Sequence, residues 1–101
     1  MRETTSKGKT IRVPTVHLNG TGAESLAKDN REASAAIRAA IDAVGRATPN
    51  ARDYYVQESG ADLEAMREHV SRLGRLESVL DEIDAIRMAV WRQDAERKGM
   101  R

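Results

Sequence analysis

Cysteine and phenylalanine are absent from this 101-residue sequence, and its only aromatic residues are Tyr54, Tyr55 and Trp91. A chain without cysteine has no disulfide, no thiolate zinc site and no cysteine nucleophile. The sequence also lacks the roughly 18–20 consecutive apolar residues that a membrane span requires, and its polar N-terminus does not fit a secretory signal. We therefore expect a soluble protein with no disulfide framework.

Neither charge of one sign nor large aliphatic side chains are in excess. Seventeen Lys and Arg residues face sixteen Asp and Glu residues, so the chain lacks the overall basic charge that releases counterions from nucleic acid. Leu, Ile, Val and Met supply 22 side chains, whereas alanine supplies 15. Aliphatic burial stabilises a fold by roughly 25 cal/mol per Å², and short chains bury less of their surface. The sequence predicts one elongated helical domain that needs a partner.

Residues 1–20 are predicted to form an extended basic arm. Its four cations outnumber its one acid, and its aliphatic residues do not alternate strictly, so we expect no free-standing strand. The cations are Arg2, Lys7, Lys9 and Arg12, and the aliphatic residues are Ile11, Val13, Val16 and Leu18. A disordered tail over residues 1–9 is the alternative.

A first helix is predicted over about residues 22–47. Thr21-Gly22-Ala23-Glu24 matches a capping box, and Pro49 disfavours helical geometry at the residue before it. A seven-residue repeat indicates a coiled-coil-like seam, in which Asn30 is expected to fix the register of the helix pair. The seam residues are Leu26, Asn30, Ala33, Ile37, Ala40, Val44 and Ala47.

A second helix is predicted over about residues 61–97, after a cap signature at Ser59-Gly60-Ala61-Asp62. Both helices rise 1.5 Å per residue, and the second helix is longer because it contains more residues. In an antiparallel pair it should overhang at its C-terminal end, where the arm or another chain would cover Val90 and Trp91. The loop between the helices, residues 48–60, contains two tyrosines that either close the open end of the pair or form a recognition surface.

The predicted fold is therefore all-α, an antiparallel two-helix hairpin over residues 21–101 that follows the arm. The broad apolar stripe of the second helix favours a dimer that forms a four-helix bundle. The residues predicted to contact a partner are His17, Leu18, Asn19, Tyr54, Tyr55, Ile86, Val90 and Trp91.

No catalytic pattern accompanies this fold. The sequence contains no nucleophile elbow, phosphate loop or glycine fingerprint, so we expect neither an enzyme nor a cofactor. Glu77, Asp81 and Asp84 share a helical face that could attract a divalent cation. Because neither histidine has a glutamate three residues before it, as carboxylate-bridged metal sites in bundles require, a solvated acidic face is expected instead of a metal site.

Three strings of the sequence carry a resemblance to a known group of proteins. They are Val16-His17-Leu18-Asn19-Gly20-Thr21, Pro49-Asn50-Ala51-Arg52-Asp53-Tyr54-Tyr55, and Glu68-His69 before a leucine-rich helix. In these strings the chain resembles small helical proteins encoded in tailed-bacteriophage and prophage genomes, which have no known activity. The resemblance implies a phage accessory or virion-assembly component, located in the host cytoplasm or in the virion.

The leading hypothesis is a structural or interaction protein that binds itself and a phage or host protein. One alternative is nucleic-acid binding through the arm and the C-terminal cluster of Arg92, Arg97, Lys98 and Arg101, although basic residues also suit the C-terminal end of any helix. The other is a phage inhibitor of a host defence or transcription protein. We expect no membrane and no small-molecule substrate as partners.

Overall fold

The computed structural model of the chain describes residues 3–99 and confirms the antiparallel helical hairpin. The two helices are α1, Ala23–Arg46, and α2, Ala61–Gly99, with a short 3₁₀ helix at Ala51–Asp53 between them. The molecule measures 67 × 24 × 20 Å, and its radius of gyration of 19.2 Å exceeds the roughly 13 Å of a compact domain of this length. Within residues 3–99, neither helix is long and apolar enough to cross a bilayer.

The start of the arm forms a β-hairpin, so the mostly helical molecule also contains a small two-stranded sheet that the prediction of an extended arm did not include. Strand β1, Glu3–Ser6, pairs antiparallel with β2, Lys9–Arg12. Lys7 and Gly8 connect them with φ values of 50° and 79°, as in the two-residue turns that suit strand twist. A lone two-stranded ribbon is marginal in water. Here both strands lie against α2, which supplies the missing support.

Helix α1 buries the face that the seven-residue repeat predicts. Six of the seven seam residues are half-buried, and only Ala47 is exposed. Gly22, and not Thr21, occupies the N-cap position, and no side chain caps the helix, so the predicted capping box does not form. Asn30 donates its amide to the Leu26 carbonyl of its own helix, 2.8 Å away. The expected role of Asn30 in setting the register therefore has no support in its hydrogen bond.

Two contacts between the helices define their register. Ser34 donates to Asp84 at 2.9 Å, and Thr48, just past the end of α1, lies 3.2 Å from the Nε2 of His69. The end of α1 therefore meets α2 at His69, so that residues 61–68, roughly two turns, lie beyond it. The prediction of an overhang at the C-terminal end of α2 is wrong. After the long connector, α2 begins at Ala61, well before His69 in the sequence. The overhang therefore lies at the N-terminal end of α2.

The best-covered part of α2 is near its C-terminal end, where the arm packs against it. Ala89 and Val90 are fully buried, and Val13 and Val16 of the arm are nearly so. Near the other end His69 is buried, and the single hydroxyl proton of Thr48 is directed at the Gly45 carbonyl. His69 Nε2 is therefore the donor of the bond to Thr48.

Candidate functional site

The basic arm is docked on the acidic segment of α2. Lys7 Nζ lies 2.8 Å from an oxygen of Asp81, and Lys9 Nζ lies 3.4 Å from one of Glu82. The hydrogen bond with Asp81 and the attraction of its charge raise the pKa of Lys7 above its ordinary value of 10.5. Both lysines are well exposed, and exposed ion pairs contribute little to stability. The two ion pairs therefore determine where the hairpin lies on α2, but they add little to the free energy of docking.

Gln93 holds the arm through its backbone. The Gln93 Oε1 accepts from the N–H of Val16 at 2.9 Å, and its Nε2 donates to the carbonyl of Pro14 at 2.9 Å. Both amide functions of one side chain therefore engage residues two apart in an extended segment. The flanking Val13 and Val16 are buried, so this contact joins two directed hydrogen bonds to apolar packing.

The predicted contact residues His17, Leu18 and Asn19 lie in the segment that joins the arm to α1. All are exposed, and Leu18 is 91% exposed. Gly20 N–H donates to the His17 carbonyl at 3.2 Å, which closes a turn. A Cβ on Gly20 would lie 2.6 Å from His17 Nε2, so the imidazole lies over the glycine. We call residues 17–22 the hinge.

Asp84 is the polar centre of the helix pair. Its carboxylate accepts from Ser34, and it also pairs with Arg38 at 3.0 Å and with Arg87 at 3.3 Å. Asp81 and Asp84 are thus paired and half-buried, whereas Glu77 is exposed, so the expected solvated acidic face is found only in part. Among residues 3–99 there is no cluster of three or more His, Asp or Glu side chains arranged to hold a metal ion.

Trp91 borders an open groove between the two helices. The groove has a volume of about 290 Å³ and is lined by Ala27, Arg31, Arg87, Met88 and Trp91. Trp91 is 62% exposed, and of the two arginines that line the groove, Arg87 is paired with Asp84.

Five exposed large apolar side chains lie in the connector and the first turns of α2, toward the opposite end of the molecule. We call it the loop-end surface, and it consists of Tyr55, Val56, Leu63, Met66 and Val70. Leu63, Met66 and Val70 are spaced three and four residues apart, which places them on one face of α2. They belong to the part of α2 near and beyond the end of α1. Tyr54, next to this surface, is half-buried.

The predicted contact residues thus fall into two groups at opposite ends of α2. His17, Leu18 and Asn19 lie near Trp91, because Val16 is bonded to Gln93. The two tyrosines belong to the loop end. Ile86 is half-buried, and Val90 is fully buried within the chain, so Val90 is not available to a partner in this conformation.

Sequence reasoning missed several residues of both groups. Leu63, Met66 and Val70 belong to the broad apolar stripe predicted for the second helix, but the predicted overhang pointed to Val90 and Trp91 at the other end. The spacing of the apolar residues gave no signal for the register. Gln93 gave no signal either, since a single glutamine in a polar helix end has no recognisable pattern.

The described residues of the predicted cationic set are partly paired and partly exposed: the lysines form ion pairs, whereas Arg12, Arg92 and Arg97 are exposed. Lys7 and Lys9 are paired with acids of α2, and Lys98 lies 2.9 Å from Asp94. Arg2 and Arg101, which belong to the predicted basic arm and C-terminal cluster, lie outside the described residues. Nucleic-acid binding, which requires cations directed at phosphates, therefore stays an alternative prediction.

Comparison of the chain with protein-family models, with curated proteins and with solved structures finds no match.

Proposed function

We propose that this protein is a non-enzymatic interaction protein whose loop-end surface binds a larger protein assembly. The observation that carries the proposal is the exposure of five large apolar side chains in the connector and the first turns of α2, near the end of α1. Exposed apolar patches are typical of protein interaction sites. Tyr55 adds an aromatic side chain with a polar end, a residue type that is enriched in interface centres.

The setting we propose is a tailed bacteriophage or prophage. It follows from the resemblance of the three sequence strings, two of which border the loop-end region, at Pro49–Tyr55 and at Glu68-His69. In that setting the protein is an accessory or virion-assembly component, present in the host cytoplasm or in the virion. Inhibition of a host defence or transcription protein requires the same kind of surface, so the identity of the partner decides between the two roles.

Self-association is part of the proposal. The half-buried seam of α1 is rich in alanine, a feature of coiled-coil-like packing at close approach, and the apolar face of α2 continues past it. A second copy could cover this face and form a four-helix bundle. Light scattering over a range of protein concentrations tests this, and a mass that stays at one chain throughout would contradict it.

The test of partner binding uses charge at the loop-end surface. Leu63→Glu with Val70→Glu places two carboxylates on the exposed face of α2. The control, Ser71→Glu with Ala95→Glu, adds the same two charges at other exposed positions of α2. Each purified protein is immobilised, and retained proteins from phage-infected and uninfected host cells are quantified by mass spectrometry.

We expect a phage or host protein that the wild type and the control retain and that the loop-end variant loses. One central contact of this kind is worth about 2 kcal/mol, or roughly thirtyfold in affinity. Equal retention by all three proteins would show that the loop-end surface is not the binding site. Circular dichroism of the three proteins establishes that they are equally helical.

A further inference from the structure

We propose that the face of α2 beneath the arm is a binding site for an extended Lys- and Val-containing segment, and that its second occupant is the arm of another copy of this chain. Reciprocal exchange of arms would then give a dimer. This inference goes beyond the proposed function, because its surface lies toward the C-terminal end of α2, away from the loop-end surface. The hinge and Gln93 variants below distinguish it from the self-association proposed above.

The arm contacts α2 in the way that a bound peptide ligand would. For the described part of the arm, from Glu3 onward, the hydrogen bonds and ion pairs to the rest of the chain end on side chains of α2: Asp81, Glu82 and Gln93. Gln93 binds the backbone of the arm, two carboxylates receive its lysines, and the buried Val13 and Val16 complete the contact. A second copy of the arm would meet the same groups in the same order.

The arm and helix α1 run in opposite directions along α2. Lys7 lies at Asp81 and Val16 at Gln93, so the arm runs toward the C-terminal end of α2. Helix α1 runs the other way, since Ser34 lies at Asp84 and Thr48 at His69. The chain must therefore reverse between the arm and α1 whenever an arm docks on its own helix.

The hinge makes that reversal, and little holds it closed. Its residues are all exposed, and its turn is closed by the bond from Gly20 N–H to the His17 carbonyl. An open, extended hinge would direct the arm away from its own α2 and toward that of a neighbour. Because the docked contacts are the same within one chain and between two, the hinge and the protein concentration decide between the two states.

The test is a pair of hinge variants. Asn19→Pro with Gly20→Pro removes the N–H that closes the turn and holds the hinge extended. The control, Asn19→Gly, changes the same segment and leaves that bond available. We expect the proline variant to have twice the mass of the chain in light scattering, with its helix content unchanged, at concentrations where the wild type and the control are monomers.

Adding Gln93→Ala to the proline variant tests the docking contact. An exchanged dimer contains two such contacts and thus four hydrogen bonds, each worth about fivefold in an equilibrium constant. We therefore expect the dimer to weaken by about a hundredfold or more and the triple variant to be monomeric. A proline variant that stays monomeric, or a dimer that Gln93→Ala does not weaken, would overturn the proposal.

A second measurement uses the wild-type hinge and does not depend on the proline variant folding. Since the chain has no cysteine, a donor dye at Thr10→Cys and an acceptor at Glu96→Cys can be placed on separate chains. After mixing at high concentration, arm exchange predicts energy transfer that grows with time. An acceptor at Ser59→Cys, at the loop end, should give far less. Equal transfer to both acceptors, or none to either after prolonged incubation, would contradict exchange.

Discussion

The two ends of α2 carry similar apolar side chains but differ in how far those side chains are buried. Val90, near the C-terminal end, is fully buried, whereas Val70, in the N-terminal third, is 59% exposed. Both belong to one continuous helix of 39 residues. What differs is the cover: the arm packs over the first region, and α1 ends close to the second. Burial along a helix is thus determined by its neighbours and not by its own apolar pattern.

The largest expected effect comes from truncating these two valines in the same way. Val90→Ala removes buried methyl groups and leaves a cavity, so the free energy of unfolding should fall by about 2 kcal/mol. Val70→Ala removes exposed methyl groups and adds helix propensity, so it should change stability by no more than about 0.5 kcal/mol. Urea unfolding followed by circular dichroism measures both. Similar losses for the two variants would mean that Val70 is covered in solution, as self-association at the loop end predicts.

A smaller effect is expected from the polar contact between the helices. Ser34→Ala removes the buried hydroxyl that donates to Asp84, while Arg38 and Arg87 still pair with that carboxylate. The cost should be about 1 kcal/mol. Ser71→Ala, at an exposed position nearer the loop end, should be neutral or slightly stabilising because alanine is the better helix former. A neutral Ser34→Ala would show that the register does not depend on this bond.

The smallest effect should come from pH and should be confined to the arm end. The folded-state pKa of Lys7 is raised, so its contribution to stability is fully present below 10.5 and is lost as the pH rises through the folded-state value. Nuclear magnetic resonance signals of the Val13 methyl groups should then shift toward those of a released arm. In Lys7→Arg the charge persists, so the shift should be smaller. Signals of the Val70 methyl groups, at the other end, should follow neither change.

The helical part of this fold could be predicted from the sequence because its signals are local. The spacing of the seam residues in α1 and the proline after it belong to single segments, and the structure has both helices. The β-hairpin was missed, although Lys7-Gly8 is a compatible turn, because its strands are short and polar. They lie against α2, where Lys7 and Lys9 meet Asp81 and Glu82, more than 70 residues away along the chain, and no local pattern contains that information.

The candidate surfaces could be predicted only in part, and for the same reason. Tyr55 and Trp91 stand out as rare aromatic residues in any reading of the sequence. The exposure of Leu63 depends on the position at which α1 meets α2, which is determined by Thr48 and His69. The burial of Val90 depends on an arm that comes before both helices. Each requires a long-range contact that apolar periodicity does not encode.

The uninterrupted course of α2 gives the molecule a mechanical property. At 1.5 Å per residue its 39 residues extend about 58 Å, with no proline inside to bend it. The loop-end surface and the face of α2 beneath the arm therefore belong to one straight helix, which keeps the distance between them fixed. A partner held at one end and a second copy joined at the other would be kept several nanometres apart, so that the protein would act as a spacer of fixed length.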